Sequence, residues 1–152
     1  MKKRMYLLLF MFVFLVGCSN KHITLDEFIE KAAFDGYILR EDKSGYESYD
    51  KILNVYYAIN REEAYDIQFL ELKDDDYAHK FFLHNKDDIE ENITGSDYKK
   101  SKSNNNYELY HAENSSKYYL VIRSKSNIIY IDAPIGYINE IEEFLEDLDL
   151  EY

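Results

Sequence analysis

YELYHAENSSKYYLVIRSKSNIIYIDA, residues 107–133, holds three runs rich in Tyr, Val and Ile, separated by two short polar breaks. The runs are Tyr107 to Ala112, Lys117 to Arg123 and Ile128 to Ala133. β-Branched and aromatic side chains suit a pleated, half-buried surface, and the last two runs have the composition of central strands. Asn114-Ser115-Ser116 and Ser124-Lys125-Ser126 supply turn chemistry. Connections this short force antiparallel neighbours, because a parallel pair needs a crossover of about a dozen residues or more.

Upstream, Gly95 to Asn106 is Ser, Lys and Asn without periodicity, which reads as a surface loop inside one domain. Before it, Asp74, Asp75 and Asp76 open a helix whose early carboxylates suit the positive end of the helix dipole. Ala78, Phe81, Phe82 and Ile89 give that helix its apolar face. Two alternating runs around Leu53 to Ile59 and Tyr65 to Phe69 form a hairpin across Asn60-Arg61-Glu62-Glu63. The segment 40–50 is a polar loop. Earlier still, Ile23-Thr24-Leu25-Asp26-Glu27-Phe28 is a helix start, with Thr24 and Glu27 spaced for a capping box and Ile23 for a hydrophobic staple to Phe28. Gly36 ends that helix. Downstream, Pro134 and Gly136 break the strand pattern, and Ile138, Ile141, Phe144, Leu145 and Leu148 make a C-terminal amphipathic helix. The expected order is α-β-β-α-β-β-β-α. This is an α+β fold, a single antiparallel sheet of about five strands with three helices.

The amino terminus has a different character. Lys2, Lys3 and Arg4 precede an uninterrupted apolar run of 12 residues, Met5 to Val16, and then Gly17 and Cys18. At 1.5 Å per residue the run covers roughly 18 Å, short of the ~30 Å hydrocarbon core, so it reads as an export signal and not as a span. Leu15-Val16-Gly17-Cys18 resembles the lipobox of bacterial prolipoproteins. The resemblance implies diacylglyceryl transfer to the Cys18 thiol, cleavage before Cys18, and attachment to the extracytoplasmic face of the cell membrane through that lipid. Residues 1–17 are then a signal peptide, 18–22 a lipidated Cys with a short tether, and 23–152 a single α+β domain. In composition and layout that domain is similar to small lipoproteins of low-GC Gram-positive bacteria, a likeness that implies no activity.

Cys18 is the only cysteine, so no disulfide forms within the chain and the domain depends on its core. Residues 1–17 hold three of the 18 basic residues and none of the 30 acidic ones, which leaves 15 against 30 in the remaining 135 residues. A net charge of −15 argues against nucleic acid, where affinity comes from Lys and Arg neutralising phosphates. With 15 Tyr and 6 Phe outside the first 17 residues, the chain is also too aromatic to be a solvated tail.

Catalytic signatures are absent. Five glycines form neither a nucleophile elbow nor a phosphate or dinucleotide loop. His79 and His84 stand five residues apart, about 140° around a helix, so they read as solvent-facing and not as a zinc pair. Counted from Asp74, an EF-hand loop would need Gly and Glu where His79 and Asn85 stand, so the three aspartates are assigned to capping. No cofactor or metal is expected. The C-terminal helix carries Glu142, Glu143, Glu146 and Asp147, an acidic face that either serves solubility or suits a basic protein or peptide partner. The expectation is a non-catalytic binding module. Alternatives are an inhibitor or immunity-type lipoprotein acting on a basic secreted enzyme, and an envelope enzyme without a known motif.

Overall fold

The structure, a computed structural model, describes residues 22–150. The signal-like stretch 1–17, Cys18 and residues 19–21 lie outside the described residues. Helix α1 (Leu25–Phe34) leads into β1 (Ile38–Glu41), β2 (Ile52–Ile59) and β3 (Asp66–Leu72). Helix α2 (Asp75–Asn92) follows, then β4 (Tyr98–Asn104), β5 (Tyr107–Glu113), β6 (Lys117–Ser124) and β7 (Asn127–Pro134). A short 3-10 turn (Ile135–Tyr137) and helix α3 (Ile138–Asp147) complete the order.

The fold is mixed helix and strand, with three helices and one antiparallel sheet, but the sheet has seven strands instead of about five. Its order is β1-β2-β3-β7-β6-β5-β4. Both additional strands, β1 and β4, are edges of the sheet. An edge strand bonds one neighbour only, and lysines there discourage pairing with another chain. Lys99, Lys100 and Lys102 therefore form a strand where hydropathy shows a loop. Asn104 turns that strand back: its Oδ1 accepts from the backbone amides of Asn106 at 3.1 Å and Tyr107 at 2.9 Å.

Helices cover both faces. α1 and α3 lie on one, burying Phe28, Ala32, Ile141, Phe144 and Leu145 against Ile67, Phe69, Leu120, Ile122, Ile129 and Ile131. α2 lies on the other across β3, β7, β6 and β5, placing Ala78, Phe82 and Ile89 on Val55, Leu70, Val121 and Ile128. A sheet buried on two sides needs continuous apolar runs, which is why Leu120, Val121 and Ile122 are all fully buried. A bulge between Ile52 and Asn54 turns Leu53 out to solvent and sets Ile52 against the α2 side.

The start of the described chain is fastened to one end of the sheet. Thr24 and Glu27 close the expected capping box of α1. Asn127 Nδ2 donates to the Ile23 carbonyl at 2.8 Å, and the Ile23 amide donates to Ser124 Oγ at 3.3 Å. Residues 22 and 23 therefore sit at the β6–β7 turn.

Candidate functional site

The four α3 carboxylates do not act as one surface. Residues 142 and 146 share one helix side and 143 and 147 another, about 100° away. Asp147 receives an ion pair from Lys31 of α1, which also bonds Asp35 at 2.7 Å. Glu142 is half-buried beside Tyr98, His111, Glu113 and Ile138. Burial, then the charges of Glu113 and Glu146, hold its carboxyl above the usual range. Glu143 and Glu146 are both exposed, on different sides of the helix.

A polar cluster that the spacing of His79 did not reveal sits near the β4–β5 and β6–β7 turns. Glu108 and Arg123 are both buried and ion-paired through Arg123 Nε. His79 Nδ1 lies 2.8 Å from Glu108 Oε2, so this imidazole is oriented by a carboxylate and is not simply solvated. The histidine edges a cleft of about 470 Å³ shared with Asp75, Asp76, Asn104 and Asn105. A carboxylate-oriented imidazole is half of a nucleophilic relay, but the nearby hydroxyl, Ser103 Oγ, bonds Glu108 Oε1 at 3.4 Å instead. Arg123 spends its other donors on the carbonyls of Lys125 and Asn105, each at 3.1 Å. The geometry is that of a clamp joining two hairpin turns. Among the described residues, no three of His, Cys, Asp or Glu converge closely enough to hold a metal ion.

At the opposite end, Tyr65 donates to Glu140 Oε1 at 2.8 Å, and Tyr37 and Tyr65 share a 2.7 Å hydroxyl contact. With the Tyr65 proton committed to the carboxylate, Tyr37 is the donor of that pair. Burial pushes Tyr37 up to about 12 and Tyr65 further still, so both hydroxyls are neutral structural links.

A further concavity is a groove between the C-terminal half of α2 and the sheet. Its cavity of about 330 Å³ is lined by Asp88, Ile89 and Asn92 from the helix and by Tyr119, Tyr130 and Asp132 from β6 and β7. The register β2–β3–β7 puts Tyr57, Gln68 and Tyr130 in one row on this face. Tyr46, from the loop before β2, donates to Gln68 Oε1 at 3.2 Å, and its ring centroid lies 6.5 Å from that of Phe81. One step past the last paired residues of β3 and β7, Ile67 and Ile131, stand Asp66 and Asp132. Like charges level with each other across strands are unfavourable. Lys117 relieves this in part, with Nζ 2.6 Å from Asp132 and 5.9 Å from the Tyr119 ring centroid. Burial pushes the Tyr130 hydroxyl up to about 12, helped by Asp132, Tyr119, Tyr46 and Asp88.

Comparisons with protein-family models, curated proteins and solved structures found no match. The groove had a signal in the sequence. Tyr130 and Asp132 are alternate residues of β7, polar-tipped or acidic where their neighbours are aliphatic, and Tyr119 stands beside Leu120 in β6. Assigning them to one face requires the strand register, which composition does not supply.

Proposed function

We propose that this chain is a lipoprotein, held through diacylglyceryl on Cys18 at the extracytoplasmic face of the cell membrane, whose domain is a non-catalytic binding module for a basic protein or peptide. The tyrosine and carboxylate groove carries the reading. Tyrosine supplies contact area with a polar tip, and carboxylates set the sign of the partner. The clamp around Arg123 and the hydroxyl chain at Tyr65 use their polar groups internally. The exposed carboxylates of α3, Glu143 and Glu146, add long-range attraction for a basic partner and no pocket of their own.

Chain geometry supports the same reading. Ile23 is fastened beside the β6–β7 turn and follows Cys18 by five positions, a reach of roughly 17 Å at full extension. Asp132 stands seven residues along β7 from Lys125 of that turn, roughly 24 Å away at 3.4 Å per residue. A lipid on Cys18 thus faces the turn end toward the membrane and the groove away from it.

The test passes an envelope extract over the immobilised protein and elutes with a salt gradient. The expected result is retention of basic proteins, released as the Debye length falls from ~8 Å at 0.15 M to ~3 Å at 1 M. Retention of acidic proteins, or elution indifferent to salt, would overturn the reading.

A further inference from the structure

The groove invites a more specific assignment, which rests on the binding-module reading above. We propose that its cavity takes the guanidinium or ammonium group of an arginine- or lysine-bearing segment of a partner protein, seated on the Tyr130 ring with Asp88 and Asp132 as counter-charges.

Three observations on one sheet face lead there. First, this face already binds the chain's own cations through tyrosines. The Arg40 guanidinium lies 5.2 Å from the Tyr57 centroid, and Lys117 Nζ lies 5.9 Å from that of Tyr119. Cation–π contact of this kind holds within about 6 Å of a ring centroid. Tyr130 shares the face but has no cation over its ring among the described residues. No hydrogen bond from the described residues reaches its hydroxyl either, although the ring is half-buried.

Second, the carboxylates outnumber the fixed cations. Asp88 and Asp132 line the cavity and Asp66 flanks it, while Lys117 is the only lysine or arginine ion-paired to any of the three among the described residues. Asp88 has His84 Nε2 at 3.4 Å, a partner that is a cation only when protonated. One lysine against three carboxylates leaves the cavity negative.

Third, the cavity is walled by regular elements, α2 on one side and β6 and β7 on the other, with Ile89 in its lining. A cation entering it exchanges water for aromatic faces and carboxylates that are already in place, so little ordering cost is incurred on binding. A second copy of this chain is a poor occupant, because it brings the same excess of carboxylates.

Lys117 gives the proposal a signature that general attraction lacks. It sits on Asp132 and competes with an incoming cation. Removing it should strengthen binding, whereas removing the ring of Tyr130 should weaken binding without changing any charge.

The experiment is calorimetric titration of the purified full-length protein, in neutral detergent and low salt, with a capped hexa-arginine peptide. A capped hexa-glutamate peptide and spermine are the controls. The expected result is binding of hexa-arginine, roughly fivefold weaker in Tyr130→Leu, near normal in Tyr130→Phe, and tighter in Lys117→Met. Thermal unfolding confirms that each variant is folded, and Tyr130→Phe guards against a packing defect in the leucine form. If Tyr130→Leu and Lys117→Met bind hexa-arginine as the parent does, the peptide is held by overall charge and the groove assignment fails, while the basic-partner reading stands. If hexa-arginine does not bind at all, both fail. If spermine binds as tightly as the peptide and with the same dependence on Tyr130, the site is one for free polyamines and the protein-segment assignment is overturned.

Discussion

Arg123 and Glu108 occupy neighbouring strands, opposite each other, with side chains about 4% and 5% exposed. A buried pair of this kind is costly to desolvate, and most of its consequence appears when one partner is removed and the other is left charged. Arg123→Met should lose about 3 kcal/mol of unfolding free energy, because it also frees the Asn105 and Lys125 carbonyls. Adding Glu108→Leu should recover much of that loss, since the orphaned carboxylate goes too. Urea midpoints at unchanged slope measure both, and a double variant no more stable than the single one contradicts the account. His111 makes the complementary case. Its ring is buried 4.7 Å from Tyr118 and 5.1 Å from Tyr98. Its Nε2 approaches Glu113 Oε2 to 3.3 Å without hydrogen-bond geometry. Burial pushes its pKa down, with Lys100 acting in the same direction, and outweighs the opposing charge of Glu113. The unfolded chain therefore binds a proton that the folded chain refuses. The stability contributed by neutral His111 is complete above the unfolded value of about 6.5 and is lost as pH falls through the lower folded value. Between pH 7 and pH 5 the parent should lose more stability than His111→Phe; parallel curves would rule out this role.

At the scale of elements, the sequence is most legible where apolar residues repeat. The box at Thr24 and Glu27, the apolar stripe of α3 and the three strands from Tyr107 onward all follow from periodicity and capping chemistry. The two edges do not. β1 has four residues, and β4 is Tyr-Lys-Lys-Ser-Lys-Ser-Asn, with neither enough length nor enough hydrophobicity to mark a strand. Their partners make them strands, because β2 and β5 would otherwise expose a row of unpaired backbone groups. The candidate site follows the same division. Asp132 and Tyr130 are visible as residues, yet their convergence with Asp88 depends on α2 crossing this face from β3 to β5, which local sequence does not encode. The acidic face of α3 was visible as well. Lys31, brought in by α1, takes up one of its four carboxylates, and Glu142 turns toward His111.

At the scale of the whole molecule, two opposite ends of one sheet have different roles. The turn end holds the entering chain and the Arg123 clamp. The far end carries the groove with its negative excess. No helix among the described residues is long and apolar enough to cross a membrane; the proposed attachment is the lipid on Cys18. Two acyl chains give stable anchoring where one gives marginal binding, at ~0.8 kcal/mol per buried methylene. The direct measurement is the mass of the amino-terminal tryptic peptide from protein isolated from its native membrane. The account expects a peptide spanning Cys18 to Lys21, beginning at Cys18 and carrying a diacylglyceryl group on the thiol. An amino terminus elsewhere, or an unmodified Cys18, contradicts it.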